Sequence, residues 1–129
     1  MFRKFVLLLG VVVAGYVSYL GLVAPEAALG DYGVIAMGPD GRNEIRAQYG
    51  GFYFAVAVVL ILSAAGRLPE RFGLGLLLVS VGGVLLGRLA SLVIEGPAIF
   101  AQYSDGLKLF YAVDIVLVLL AVMALMQKR

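Results

Sequence analysis

Four long apolar segments, separated by short polar stretches, make up most of the chain. They run from about residue 5 to 23, 43 to 65, 72 to 94 and 107 to 126. A helix needs about 20 apolar residues to cross about 30 Å of hydrocarbon, and each segment is of that length. Apolar residues occupy every side of each segment, whereas the strands of a membrane β-barrel alternate polar and apolar positions. The pattern therefore predicts an all-α integral membrane four-helix bundle, with residues 1–129 forming one domain.

The first segment has an alternative interpretation as a secretory signal peptide, because Arg3 and Lys4 precede its apolar run. That run extends from Phe5 to Ala24, which is longer than the roughly 7–15 residues of a signal-peptide core. We therefore expect a transmembrane helix here.

Residues that break or start helices separate the four segments. Pro25 suits the first turn of a short interfacial helix that extends to Leu29. Residues 38–41 (GPDG) form a predicted turn, followed by Asn43 as the N-cap of the second span. Residues 66–69 (GRLP) predict a tight hairpin into the third span. Further breaks are predicted at residues 96–97 (GP) and 104–106 (SDG).

Composition supports a membrane protein and excludes several kinds of chemistry. Hydrophobic residues make up 63% of the chain and charged residues 14%, against about 25% charged residues in a soluble domain. The mean hydropathy is +1.04. The chain has no Cys and no His, so it lacks thiol ligands and thiol nucleophiles as well as the commonest general base. We expect no cofactor and no metal site, and an enzyme is the least supported class of function.

Basic residues are concentrated at one end of the predicted bundle. The end that holds both termini carries these charged residues: Arg3, Lys4, Arg67, Glu70, Arg71, Lys128 and Arg129. The opposite half carries mostly acids: Glu26, Asp31, Asp40, Arg42, Glu44, Arg46, Arg88, Glu95, Asp105, Lys108 and Asp114. Short cytoplasmic loops are enriched in Lys and Arg, so both termini are predicted to be cytoplasmic. Topology thus accounts for the net charge of +2, and nucleic-acid binding is not expected.

Small residues recur at four-residue spacing on three of the predicted helices. The sets are Gly10, Ala14 and Ser18; Ala47, Gly51 and Ala55, with Gly50 beside them; and Gly83, Gly87 and Ser91. Small residues let helices approach closely in lipid, where hydrophobic association is weak. We interpret these faces as packing surfaces inside one bundle. The alternative is an interface of a homo-oligomer or a larger membrane complex.

Ionisable residues enter the membrane near its predicted outer side. Arg88 lies six residues before Ile94, and Asp114 lies seven residues after Leu107, which places them roughly 9 and 10 Å below the same surface. Charges in lipid usually face the bundle interior and have a partner. A pair between Arg88 and Asp114 is therefore predicted.

Other polar residues share faces with this pair. Arg46 aligns with Tyr49 and Tyr53, Tyr111 lies one turn before Asp114, and Ser91 and Glu95 follow Arg88. Together they predict a polar pocket, open to the outer side, with a fork of two arginines for a carboxylate, phosphate or anionic head group. One alternative is a structural salt bridge with Arg46 reaching the interface alone. Another is a path for protons or ions. The ligand-binding candidates are Arg46, Tyr49, Tyr53, Arg88, Glu95, Tyr111 and Asp114.

Two sequence motifs resemble those of a bacterial family of small four-span membrane proteins, the domain of unknown function DUF4345. They are residues 46–51 (RAQYGG) and residues 87–91 (GRLAS), the latter followed by 95–97 (EGP). The family pattern has R-x-x-Y-G-G opening the second helix and G-R with a downstream acid-Gly-x-Pro ending the third. Here the acid is Glu95, and Pro97 directly follows Gly96. The resemblance covers nearly the whole chain and implies a four-helix fold in a bacterial cytoplasmic membrane, without an established activity.

Three functions remain open from the sequence. We expect a non-enzymatic bundle with an outward-facing polar pocket for a lipid-like or amphipathic ligand, and hence membrane lipid as a partner. The second is an accessory or scaffold subunit of a larger membrane complex. The third is a small transporter, although transporters with four spans usually keep an acid in the first helix, where this chain has no charge.

Overall fold

The computed structural model describes residues 1–30, 33 and 38–127. Its helical elements, in chain order, are α1 (Phe2–Val23), α2 (Pro25–Gly30), α3 (Gly38–Ile45), a π-helical segment (Arg46–Gly51), α4 (Phe52–Ala64), α5 (Glu70–Glu95), a 3-10 helix (Pro97–Gln102) and α6 (Asp105–Met126). The described residues contain no strand. The predicted all-α class is therefore confirmed.

In the described part of the chain, four helices are long and apolar enough to cross a membrane. They are α1, the continuous stretch Gly38–Ala64 formed by α3, the π segment and α4, then α5 and α6. Large apolar side chains such as Val79 and Val93 are exposed on the outside of the bundle, where lipid would contact them. The four long apolar helices of the prediction are confirmed, and they indicate a multi-pass membrane protein.

The start of the second span differs from the prediction. Residues 38–41 were expected to form a turn and Asn43 to be the N-cap, but α3 already begins at Gly38. The turn residues are compatible with a helix start because Pro39 occupies the first turn, where its missing N–H costs nothing. Asn43 consequently lies within α3 and is exposed. The short helix predicted after α1 does form, as α2.

The hairpin between α4 and α5 forms as predicted. Gly66 has a φ of 76°, a left-handed conformation that favours glycine at a helix end. Its N–H donates to the Ser63 carbonyl at 3.2 Å, and the Arg67 N–H donates to the Leu62 carbonyl at 2.9 Å. This pair of bonds is a Schellman motif, which satisfies the last carbonyls of the helix.

The helices run antiparallel, and α1 contacts the second span, α5 and α6. We call the end with residues 66–69 and both termini the terminal end, and the opposite end the distal end. The fully buried large side chains belong mostly to the terminal half: Val6, Leu7, Leu60, Ser63, Leu74, Leu77 and Leu117. The tightest core is therefore on the terminal side.

Basic side chains hold the C-terminus of α6 at the terminal end. Arg3 donates from Nε to the Ala124 carbonyl at 3.0 Å and also donates to the Gln127 carbonyl. Arg71 donates to the Leu125 carbonyl at 3.3 Å. Cations stabilise a helix C-terminus because its last carbonyls are unpaired and carry partial negative charge. Asp31, Lys128 and Arg129, which entered the charge argument, lie outside the described residues.

The three predicted small-residue faces differ in how deeply the structure buries them. On α1, Gly10, Ala14 and Ser18 are all buried, as a packing face requires. Ala47, Gly51 and Ala55 are exposed on the second span. Gly83 and Gly87 are also exposed, and no described atom of another element lies within 4 Å of a Cβ built at either position. Close intramolecular packing through those two glycines therefore does not occur among the described residues.

A candidate ligand-binding cavity at the distal end

The distal half of the bundle is organised by one very close contact between α1 and the π segment. A Cβ added to Gly21 would lie 2.5 Å from the Gly50 nitrogen and 2.7 Å from the Tyr49 carbonyl carbon. A Cβ added to Gly50 would lie 2.6 Å from Leu22. At Gly21 the obstacle is backbone, so a larger residue would require the two helices to move apart. At Gly50 the nearest obstacle is the Leu22 side chain. The contact draws the start of the second span tightly against the end of α1.

The π segment coincides with residues 46–51 (RAQYGG), one of the motifs found in the sequence. The Phe52 N–H bonds to the Ala47 carbonyl, five residues earlier, so the turn is wider than an α-helical turn. The Ser18 hydroxyl donates to the Gly50 carbonyl at 2.9 Å and ties α1 to this turn. Such π turns are rare and occur frequently at functional sites.

The distal half of α5 is less tightly packed than its terminal half. The buried residues of α5 are Gly73, Leu74, Leu77 and Val81, all in its first half. Beyond Val81 the helix borders cavities instead of core side chains.

The first of these cavities, which we call the aromatic cavity, has a volume of about 730 Å³. It lies between the second span, α5, the residue that follows the 3-10 helix (Tyr103) and the start of α6. Its lining residues are Gln48, Tyr49, Phe52, Tyr53, Val84, Gly87, Arg88, Ser91, Glu95, Tyr103, Leu107 and Tyr111. Aromatic rings and a few polar groups thus form a wide concave surface at the distal end.

An adjoining cavity, which we call the apolar cavity, has a volume of about 460 Å³. It extends from Ala27 and Leu29 of α2 along α1 to the depth of Val13 and Val81. Its wall shares these residues with the aromatic cavity: Tyr49, Tyr53, Val84, Arg88 and Leu107. A single molecule with a polar and an apolar part has suitable surroundings for each part in these neighbouring spaces.

The predicted pair between Arg88 and Asp114 is confirmed and lies where the cavities meet. Arg88 donates from Nε to Asp114 Oδ2 at 2.8 Å. The side chain of Asp114 is 9% exposed and that of Arg88 is 23% exposed. Tyr111 donates its hydroxyl to the Arg88 carbonyl at 2.8 Å. The guanidinium also lies over the rings of Phe110 and Tyr111, 5.8 and 5.5 Å from their centroids.

Aromatic rings pack on one another on both sides of the aromatic cavity. Tyr49 and Tyr53 stack with their centroids 6.5 Å apart. On the other side, Tyr103 stacks on Tyr111 at 6.0 Å, and Phe100 contacts both of them edge to face. Rings that pack on rings have little rotational freedom, so these walls are preformed.

The structure brings most of the predicted site residues together. Tyr49, Tyr53, Arg88, Glu95 and Tyr111 line the aromatic cavity, and Asp114 lines the apolar cavity. Ser91, predicted as a packing residue, also lines the aromatic cavity and donates to Glu95 at 3.0 Å.

Arg46 is the exception among the predicted site residues. It lines neither cavity. Its Nε donates to the Leu22 carbonyl at 3.3 Å, which makes it a partner of the α1 C-terminus. The predicted fork of two arginines does not form.

Sequence reasoning missed several lining residues, above all Tyr103, Phe52 and Gln48. Tyr103 lies in the loop before α6, where a tyrosine is commonly a membrane-interface anchor. The sequence nevertheless contained an indication of the role of Tyr103. Residues 100–111 include four aromatic side chains, and the charged Asp114 follows three residues later. Among the described residues, no group of three or more acidic side chains is close enough to hold a metal ion.

A family model described as a domain of unknown function (DUF4345) matches residues 2–125. The chain therefore belongs to this family. Neither a curated protein nor a solved structure shows significant similarity to it.

Proposed function

We propose that this member of the DUF4345 family is a non-enzymatic protein of the bacterial cytoplasmic membrane that binds a lipid-like or amphipathic molecule at its distal end. The observation that carries the proposal is the adjacency of the aromatic cavity and the apolar cavity along the Arg88–Asp114 pair. Ligand sites are typically concave, mostly apolar and provided with a few fixed polar groups.

The proposed orientation places both termini in the cytoplasm and the distal end outside. It is supported by the basic residues of the terminal end, among them Arg3, Lys4, Arg67 and Arg71. With this orientation the aromatic cavity faces the outer leaflet and the space beyond it. A molecule from that leaflet could enter between α5 and the second span.

The proposal is tested by filling the aromatic cavity from a position that tolerates a side chain. Gly87 lines the cavity, and a Cβ there meets no described atom of another element within 4 Å. Gly83 is equally unobstructed, one turn away on the same helix, and lines neither cavity. Gly87→Phe and Gly83→Phe are therefore matched variants in size, hydrophobicity and helix.

Native mass spectra of the proteins, purified in a mild non-ionic detergent, provide the measurement. We expect the unaltered protein and Gly83→Phe to retain an amphiphile of defined mass, and Gly87→Phe to lose it. Retention of the same adduct by Gly87→Phe, or no defined adduct on any of the three proteins, would contradict the proposal.

A second candidate function is that of a subunit in a larger assembly, and the exposed glycine at position 83 favours it. An exposed small residue in lipid is suited to close approach by another helix. The same mass spectra test this function, because Gly83→Phe would then abolish an oligomeric species. A strictly monomeric unaltered protein would count against it.

A further inference from the structure

The charge of Arg88 is already compensated within the protein. Its guanidinium is paired with Asp114 at 2.8 Å, and it also lies over the rings of Phe110 and Tyr111. Arg46, the other expected anion ligand, lines neither cavity. An anionic head group would therefore have to compete with Asp114 for the one arginine that lines the aromatic cavity.

The aromatic cavity is also lined by a carboxylate, Glu95. Glu95 belongs to none of the ion pairs found among the described residues. Its Oε1 accepts a hydrogen bond from Ser91, whose hydroxyl also lies 3.4 Å from the Tyr103 hydroxyl. Among the described residues, the charged side chains that line the two adjoining cavities are Arg88, Asp114 and Glu95, and their formal charges sum to −1. This charge disfavours an anion and favours a cation.

The aromatic walls offer further attraction for a cation. Tyr49, Phe52 and Tyr53 line one side of the aromatic cavity, and Tyr103 lines the other. Phe52 packs edge to face on Tyr53 with centroids 5.4 Å apart, so the rings present different orientations. The faces of aromatic rings attract cations, and cages of such rings recognise alkylated ammonium groups.

We propose that the ligand is an amphipathic ammonium compound, whose alkylated ammonium group occupies the aromatic cavity near Glu95 and whose alkyl chain occupies the apolar cavity. This inference rests on the proposed ligand-binding function and names the chemical class of the ligand. The apolar cavity provides the chain with Val13, Val17, Leu20 and Val81. Tyr53 lines both cavities and marks the position where chain and ammonium group join.

Three probes with the same alkyl chain separate charge from hydrophobicity. They are octyltrimethylammonium, its uncharged carbon isostere with a tert-butyl end, and octyl phosphate. Titration calorimetry of the protein in maltoside micelles, with protein-free micelles as the blank, gives the three affinities. We expect octyltrimethylammonium to bind about 2-fold to 30-fold more tightly than the isostere, the range that a cation–π contact provides. Octyl phosphate should bind more weakly still.

Single-residue variants test whether the preference for octyltrimethylammonium over its isostere arises in the aromatic cavity. Glu95→Gln and Tyr103→Leu should each reduce the affinity for octyltrimethylammonium several-fold and leave that for the isostere nearly unchanged. Glu44→Gln, which alters an exposed acid that lines neither cavity, is the matched control and should change neither affinity.

The outcomes distinguish this inference from the function on which it rests. Equal binding of the ammonium probe and its isostere, or preference for octyl phosphate, would overturn the cationic ligand while leaving an amphiphile site in place. A Glu95→Gln protein with unaltered preference would overturn the assigned location. Absence of binding by all three probes, together with an adduct that survives Gly87→Phe, would overturn both proposals.

Discussion

At the scale of single residues, Arg88 connects α5 to α6 in the distal half. It pairs with Asp114, its carbonyl accepts from Tyr111, and its guanidinium lies against two rings. A charge in a low-dielectric interior is costly unless a partner compensates it. Removing one member of the pair therefore leaves the other charge in the protein interior without its partner, which destabilises the folded state.

We expect Arg88→Met to destabilise the protein by about 3 kcal/mol, the lower end of the range for breaking a buried pair, because Arg88 is partly exposed. Methionine retains much of the length of the arginine side chain, so loss of packing contributes little. The midpoint of unfolding in detergent micelles measures the effect.

The double variant Arg88→Met, Asp114→Leu is the control for this experiment. It removes both charges and should recover most of the lost stability, since an apolar pair can replace a buried ion pair at little cost. A single variant with an unchanged unfolding midpoint would show that the pair contributes nothing to the fold.

The sequence was sufficient to predict the Arg88–Asp114 pair but not the position of Arg46. Two residues of opposite charge that lie at equal depth within apolar spans have few other possible partners, so they are expected to pair with each other. Arg46 lies near the surface, and its partner is a backbone carbonyl at the end of another helix. Carbonyl positions depend on where helices end and how they pack, which side-chain patterns do not specify.

At the scale of helices, α1 and the π segment make a close backbone contact in the distal half of the bundle. The backbone atoms of Gly50 and Tyr49 lie within 2.7 Å of the position of a Gly21 Cβ. A backbone obstacle cannot rotate away as a flexible side chain can. The contact holds Tyr49 against α1, and Tyr49 and the nearby Tyr53 line both cavities.

We expect Gly21→Ala to destabilise the protein by about 1–3 kcal/mol, the usual cost of overpacking. Gly15→Ala is the matched control in the same helix, because a Cβ at Gly15 meets no described atom of another element within 4 Å. The control should be neutral or slightly stabilising, since alanine favours a helix more than glycine does. Equal unfolding midpoints for the two variants would contradict the close contact.

Helix lengths were predictable, while the π segment was not. Apolar runs of about 20 residues are determined by the membrane thickness, so the four spans follow from the sequence. A π turn differs from an α turn by one residue, and glycines permit either. Here the choice is set by the tertiary contacts of Gly50 with Leu22 and Ser18, which exist only in the folded bundle.

At the scale of the whole molecule, the bundle is densely packed at the terminal end and open at the distal end. The largest buried side chains are mostly leucines of the terminal half, and the cavities adjoin the distal half of α5. A packed half can hold the helices in place while the other half keeps space for a ligand. This division is consistent with a binding protein whose site is preformed.

In the proposed orientation, the aromatic cavity opens to the outside of the membrane and admits water and a ligand. The native chain has no Cys, so a cysteine placed at Gly87 or at Gly83 provides the only thiol. The most direct measurement is the rate at which each thiol, in intact cells, reacts with a membrane-impermeant thiosulfonate that carries a trimethylammonium group. We expect rapid labelling of Gly87→Cys, and we expect octyltrimethylammonium to slow it. Gly83→Cys, which faces the surrounding lipid, should be labelled little. Labelling of Gly87→Cys only from the cytoplasmic side, or equal rates at both positions, would contradict it.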